Sequence, residues 1–262
     1  MLASNEAYAA DTVIRASTLT KRFGEVLALD RVNLDVKKGE FVSFVGPSGC
    51  GKSTLMRCIA GLETPSEGIL EVGGGPVNGP PKDLGLALQR DALLDWADVL
   101  DNVLLPADFR GEPRQRYEAR ARDLLDRVGL SEFVHAYPHS LSGGMRQRVA
   151  ICRALLLTPG LLLMDEPFGA LDALTRDQLN VDLHKLWEAE RMTVIFVTHS
   201  ITEAVFLSSR ILVFRPRPGQ ITDEIDVPLG DSRRLSIRET AEFGELTRQL
   251  RGSFERMGII HE

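Results

Sequence analysis

The sequence predicts an α/β protein: a parallel-sheet core, an antiparallel sheet ahead of it in the chain, and a helical insertion between the core strands. Three observations carry that expectation. Phe41-Val42-Ser43-Phe44-Val45, an apolar run bounded by Gly39 and Gly46, leads into a glycine-rich loop and then a helical pattern. Leu161-Leu162-Leu163-Met164 and Val194-Ile195-Phe196-Val197 are continuous apolar strands separated by a helix from about Ala173 to Glu190, which suits parallel strands buried on both faces. From Asp91 to about Leu157, strand signals give way to helical ones.

Composition narrows the function classes. The chain has 262 residues, 44% hydrophobic and 26% charged, which suits one large domain or two subdomains sharing a core. A formal net charge of −6 leaves no global basic field for nucleic acid, and the basic run from Arg114 to Arg122 reads as the solvated face of a helix. Cys50, Cys58 and Cys152 show no CxxC or Cys/His spacing and read as reduced thiols rather than a disulfide or zinc framework. No apolar run approaches the roughly 18–20 residues that span a bilayer. Met1 to Asp11 lacks the basic and apolar regions of a signal peptide and reads as a loose lead-in. Any membrane role must therefore come through a partner.

Taken in order, Val13 to Leu19 and Val32 to Val36 show the period-two spacing of antiparallel strands. Phe23 lies between them, before Gly24, and can be turn packing or a platform for a flat base. Leu55, Met56 and Ile59 recur at helical spacing after the glycine loop, and Gly61 supplies the stop. Gly73 to Pro81 reads as a turn-rich surface loop, and Leu84 to Leu88 as another apolar run ending at Gln89. Tyr117, Leu124, Leu125 and Val128 mark a helix that stops at Gly129. The tail opens with Pro216 and Pro218 and closes with an amphipathic stretch through Phe243, Leu246, Leu250 and Phe254. The expected division is an α/β core with an antiparallel β-subdomain over 12–90 and 159–214, a helical subdomain over 91–158, and a tail over 215–262 packed on the core.

The chemistry starts at Gly46-Pro47-Ser48-Gly49-Cys50-Gly51-Lys52-Ser53-Thr54, which has the spacing G-x-x-x-x-G-K-[ST] between strand and helix. Such a loop aims successive N–H groups at one anion, and the helix dipole adds positive potential there. Lys52 is expected to reach the β- and γ-phosphates, and the Ser53 hydroxyl to ligate Mg²⁺. Cys50 sits inside the loop, so an alkylating reagent is expected to compete with nucleotide. Asp165 and Glu166 follow a buried strand at the edge where α/β sheets bind ligands: Asp165 would hold the metal's hydration shell, and Glu166 would orient or deprotonate water. His199 ends the next strand in the same way and is expected at the γ-phosphate edge. His135, His139, His184 and His261 have no comparable context. Ser142, followed by Gly143, Gly144 and Met145, caps a second helix start with unobstructed N–H groups. One nucleotide cannot easily use two separate anion sites on one chain, so this one points to a nucleotide held by another copy.

Together these stretches, with Gln89 and Ala170-Leu171-Asp172, resemble in order and spacing the ATP-binding cassette (ABC) transporter ATPases, from about Val13 to Phe214. The resemblance implies a P-loop NTPase fold with a RecA-like parallel-sheet core, an N-terminal antiparallel β-subdomain and a helical subdomain. It implies ATP and Mg²⁺ as cofactors and a head-to-tail homodimer, in which each ATP contacts residues 46–54 of one copy and Ser142, Gly143, Gly144 and Met145 of the other. Phe23 then resembles the adenine-stacking aromatic, Gln89 the residue linking Mg²⁺ to the membrane partner, Glu166 the catalytic carboxylate, His199 the switch histidine, and Asp172 an aspartate that crosses the interface. Met145 departs from the glutamine many members carry. Leu93-Leu94-Asp95-Trp96 and Phe168 to Arg176 look most like the nitrate/sulfonate/taurine importer branch, although Asp95 stands where that branch often has proline. The implied partners are integral-membrane permease subunits at the cytoplasmic face of the inner membrane and, indirectly, a substrate-binding protein. The alternative is a soluble ABC ATPase acting on DNA or ribosomes, which usually carries coiled-coil insertions, paired cassettes or basic faces. A small-molecule kinase would leave Leu141 to Arg148 unexplained, and a non-hydrolysing regulatory module would not need Glu166 and His199.

Overall fold

The computed structural model describes residues 11–169 and 171–260. Most of the N-terminal lead-in, Ala170 and His261 lie outside the described residues. Two sheets form the framework. The first is antiparallel, in the order β2-β1-β4-β5, from β1 (Thr12–Phe23), β2 (Val26–Lys37), β4 (Glu67–Val72) and the two-residue β5 (Gly75–Pro76). The second has six strands in the order β10-β9-β3-β8-β7-β6: β3 (Phe41–Val45), β6 (Leu84–Ala87), β7 (Leu161–Asp165), β8 (Thr193–Thr198), β9 (Arg210–Phe214) and β10 (Ile221–Asp226). Five of these are parallel, and β10 closes the edge antiparallel to β9.

Period-two alternation along the central strands builds two cores. Val42, Phe44, Leu161, Leu163, Ile195, Val197, Leu212 and Phe214 face the antiparallel sheet and helix α1 (Lys52–Ile59). Phe41, Leu162, Met164, Val194, Phe196, Ile211 and Val213 face the other way, onto helices. These are α2 (Val99–Phe109), α3 (Gln115–Arg127), α4 (Gly143–Leu155), α5 (Ala173–Glu190), α6 (Ile201–Leu207) and α7 (Ala241–Arg256). Removing each such side chain from water contributes about 2 kcal/mol, so strands apolar on both faces are held in register from both sides.

That register sets the site. Val45 pairs with Thr198, and Val197 with Asp165, so the chain leaves β3, β7 and β8 at one edge with Gly46, Glu166 and His199 as the next residues. Ala87 pairs with Met164, which brings Gln89 out two residues beyond the same edge.

Three expectations are corrected. The N-terminal strands run on to Phe23 and back from Val26, because Thr18 and Arg31, both at φ 47°, break the alternation without ending the strands. The stretch from Gly73 to Pro81 is not all loop, since β5 pairs with β4 across the Gly73-Gly74 turn. The core sheet also continues past Phe214 into β10, so the segment read as a tail packed on the core begins by adding a strand to it. Its Ile-Thr-Asp-Glu-Ile-Asp sequence is half-exposed at the sheet edge and gives no apolar run.

Candidate functional site

The glycine loop is shaped by what it packs on. At Gly51, φ is 101°, and a β-carbon would lie 2.9 Å from the Ala28 carbonyl oxygen and 2.7 Å from Leu29 Cδ2. Only glycine fits there. No side chain caps α1, which leaves its leading N–H groups for an anion. Lys52 is buried, and its ammonium donates to the carbonyls of Gly46 at 2.8 Å and Pro47 at 2.9 Å, with Cys50 Sγ at 3.6 Å. A cation thus stands inside the loop, held by the loop's own backbone. Cys50 is buried as well, and burial pushes its thiol pKa up. The expectation that it meets alkylating reagents is therefore corrected: neither access nor thiolate is provided.

Ser53 donates its hydroxyl to Asp165 Oδ1 at 2.8 Å. Burial raises the Asp165 pKa, the Ser53 hydrogen bond counters it, and the neighbouring Glu166 charge adds to it. Among the described residues no group of three or more His, Cys, Asp or Glu side chains could hold a metal by itself. A hydroxyl beside a buried carboxylate fits Mg²⁺, which keeps several waters and takes its remaining ligands from phosphate oxygens.

Glu166 adopts φ 46°, a conformation that costs a non-glycine residue on the order of 1–3 kcal/mol. Two backbone hydrogen bonds hold it there, from its N–H to Val197 O at 2.9 Å and from Gly169 N–H to its carbonyl at 3.2 Å. The turn directs its carboxylate to His199, whose Nδ1 lies 3.4 Å from Glu166 Oε2. Gln89 joins them: a β-carbon on Gly169 would lie 3.8 Å from Gln89 Nε2, 3.9 Å from His199 Cε1 and 3.5 Å from Glu166 O. Three residues from three strand ends therefore converge around one glycine. Phe23 ends β1, 44% exposed, with the Lys21 ammonium 4.6 Å from its ring centroid.

Sequence reasoning missed the support behind His199. Glu203 is buried on α6 and accepts the Thr198 hydroxyl at 2.6 Å, and Thr198 Oγ1 in turn accepts the Ser200 N–H at 3.0 Å. Burial raises the Glu203 pKa, and the Thr198 bond and the Arg176 charge oppose it. Arg176 lies 3.5 Å from Glu203 and donates to Leu171 O at 2.8 Å, which connects the segment around Asp172 to the His199 turn. The available signal was a lone glutamate immediately before an apolar run, Ala204 to Leu207.

The second helix start is built differently. Ser142 caps α4 by accepting the Met145 N–H at 3.3 Å, and both Ser142 and Gly143 are exposed. Gly144 is buried, where a β-carbon would stand 2.5 Å from Thr175 Cγ2. The Met145 side chain is half-buried and packs against the helical core, which leaves its backbone at the helix start. Asp172 caps α5 by accepting the Thr175 N–H at 3.0 Å, and that bond holds its carboxyl below the usual range. Among the described residues no hydrogen bond or ion pair joins Ser142, Gly143, Gly144 or Met145 to residues 46–54. Helix α4 is tied instead to the segment after β6: Gln147 donates to Leu88 O at 3.4 Å, Arg146 to Asp91 Oδ2 at 2.9 Å, and Arg153 to the carbonyls of Asp91 and Ala92.

Known proteins resemble this chain over most of its length. The family model described as "ABC transporter" matches residues 29–169. The taurine import ATP-binding protein of Rhizobium johnstonii is 47% identical over 238 residues, covering 88% of this chain and 90% of that protein. An uncharacterized ABC transporter ATP-binding protein of Methanocaldococcus jannaschii is 44% identical over 241 residues, covering 90% of this chain and 89% of its own length. Among solved structures, a dimeric ATP-binding cassette in a post-hydrolysis state with ADP and Pi matches with a TM-score of 0.69 at 34% identity, covering 82% of this chain and 98% of that one. The chain belongs to the ABC transporter family, among its ATP-binding subunits.

Proposed function

We propose that this chain is the ATP-hydrolysing subunit of an importer in the nitrate/sulfonate/taurine branch, moving small organic anions, and that it acts as a head-to-tail homodimer with two ATP molecules at the interface. The observation that carries the reading is the convergence of Glu166, His199 and Gln89 beside the Ser53–Asp165 pair. Relatives named for taurine import support the branch, and a cassette solved as a dimer with ADP and Pi supports the assembly.

In this mechanism residues 46–54 hold the β- and γ-phosphates, with Gly46, Pro47, Ser48, Gly49, Cys50, Gly51 and Thr54 contributing backbone and Lys52 its charge. Phe23 stacks on the adenine. Ser53, Asp165 and Gln89 would hold Mg²⁺, which when bound would neutralise charge on the phosphate oxygens. Glu166 accepts a proton from the attacking water, and His199 hydrogen-bonds a γ-phosphate oxygen. The P–O bond to the leaving ADP breaks as the water oxygen bonds phosphorus. Ser142, Gly143 and the backbone around Met145, with Asp172, contact the nucleotide of the other copy. ATP closes the dimer by supplying the negative charge that both half-sites need, and hydrolysis weakens that bridge.

Closing drives a permease through the surface beside Gln89. A groove of about 650 Å³, lined in part by Leu84, Leu86, Leu105, Pro106, Phe109 and Leu157, lies between the core and the helical region. Phe109 is 82% exposed and Trp96 78%, and apolar surface of that kind marks a partner site. No helix among the described residues is long and apolar enough to cross a membrane. We assign the chain to the cytoplasmic face of the inner membrane, peripheral to permease subunits that a substrate-binding protein supplies. The test is capture of the tagged chain from detergent-solubilised native membranes. A co-purifying multi-span permease is expected, and recovery of ribosomal or DNA-associated proteins alone would overturn the transport assignment.

A further inference from the structure

The hairpin between β9 and β10 has no part in the site described above, yet it lies against the phosphate loop along most of its length. Phe214, at the end of β9, stands where a β-carbon on Gly46 would come within 2.6 Å of its carbonyl oxygen. The hairpin is fastened to β2 on the far side: Gly219 N–H donates to Ala28 O at 3.0 Å, Asp30 N–H to Gly219 O at 3.0 Å, and Gln220 Nε2 to Asp30 Oδ2 at 2.6 Å. From this fixed base Arg217 donates its Nε–H to the Gly49 carbonyl at 2.8 Å. Gly219 approaches the next carbonyl so closely that a β-carbon there would collide with Cys50 O.

One carbonyl of the loop, that of Gly49, is thus hydrogen-bonded from outside by the hairpin, and the next, that of Cys50, faces the same hairpin in close approach at Gly219. In a trans peptide the N–H points opposite to the C=O. Turning Gly49 O toward Arg217 therefore turns the Cys50 N–H toward the loop interior, and turning Cys50 O toward Gly219 does the same for the Gly51 N–H. The Cys50 N–H makes only a long 3.4 Å contact with Pro47 O and remains open to a better acceptor. Gly49, at φ 75°, has no side chain to fix these peptide planes itself.

We propose that Arg217 is a positioning residue for nucleotide binding: it acts through the Gly49 carbonyl to hold the peptide planes of the loop in the orientation that receives phosphate. This rests on the reading of residues 46–54 as the triphosphate site. Arg217 does not touch the nucleotide in this account. Its effect falls on phosphates held by the loop backbone, common to ATP and ADP, rather than on the γ-phosphate alone.

The test compares wild type, Lys52→Ala, Arg217→Ala and Arg217→Lys as full-length proteins. Binding constants for Mg-ATP and Mg-ADP come from calorimetry, and KM and kcat from steady-state hydrolysis. Arg217→Ala is expected to weaken ATP and ADP equally, by about tenfold, the scale of one hydrogen bond from a charged donor. KM should rise by the same factor, with kcat at saturating ATP within about twofold of wild type. Arg217→Lys, which keeps a charged donor, should recover part of the loss. Melting curves that coincide with wild type accompany this result, whereas a merely structural role would lower the melting temperature and kcat and leave KM alone. Loss of ATP affinity without loss of ADP affinity would mean direct contact with the γ-phosphate and overturns the proposal. So does unchanged binding in Arg217→Ala when Lys52→Ala has lost it. If Lys52→Ala itself binds like wild type, the reading of the loop falls first, and the two failures are told apart.

Discussion

The two anion-binding helix starts of this chain, at α1 and α4, are built on opposite plans. The one at α1 is closed on itself. Lys52 is buried and bonded to its own loop, Ser53 is bonded to Asp165, and β2 fits against Gly51 where no β-carbon is tolerated. The one at α4 is open: Ser142 and Gly143 are exposed, and a β-carbon on Gly143 would meet nothing nearer than 3.8 Å. The first start is held in place by contacts within one chain, while the second is exposed toward something the chain does not itself provide. The difference teaches that the positive end of a helix serves different ends according to whether its surroundings are filled.

The sharpest way to break this contrast is at the hydrolytic residue on the closed side. Glu166→Gln should keep ATP binding and lower turnover at least about a hundredfold, the scale of a lost general base; wild-type-like turnover measured by phosphate release would sink the role assigned to Glu166. Next comes the open side. Ser142→Asp preserves a good N-cap, so the fold should hold, but it places a carboxylate against the other copy's triphosphate. Hydrolysis should fall by about tenfold or more, while calorimetry on the separated chain shows ATP affinity within about twofold of wild type.

The paired glycines sharpen the comparison through stability alone. Gly51→Ala meets both a positive φ and the Ala28 carbonyl, and should cost on the order of 2 kcal/mol, lowering the melting temperature by about 4–8 °C. Gly143→Ala meets only ordinary van der Waals contact at 3.8 Å, and its stability should change by less than about 0.5 kcal/mol. Equal shifts would erase the distinction between filled and open surroundings. The smallest effect is at Cys50. Because burial raises its pKa, the thiolate fraction at neutral pH lies below that of a free cysteine and grows only as pH rises. Maleimide labelling of Cys50, followed by mass spectrometry, should be slow at pH 7 and faster at pH 9 without becoming fast; rapid neutral labelling would show that the loop is not closed.

How much of this was legible in the sequence follows from the range of each signal. Strands apolar on both faces, the glycine loop and the cap at Ser142 are local, and the residues alone point to them. The edge strands were not legible, because β4, β5 and β10 carry polar or glycine-rich sequence at half-exposed positions. Within the site, residue types located Glu166 and His199, but the 3.4 Å approach between them depends on a left-handed turn at Glu166 that nothing local to a glutamate predicts. Glu203 and Arg176 escaped notice since their work is done through Thr198 and Leu171, residues that carry no motif of their own. The inward packing of the Met145 side chain was not legible either, because a motif position says which residue is present and not which way the helix turns it.

The central claim is that the open helix start completes a nucleotide site on a second copy. Sedimentation of Glu166→Gln with and without Mg-ATP tests it most directly, repeated with Ser142→Asp added to the same chain. The account predicts monomers without nucleotide, dimers of Glu166→Gln with Mg-ATP, and ATP-loaded monomers once Ser142→Asp is present. ATP-dependent dimers that form equally well with Ser142→Asp would contradict it.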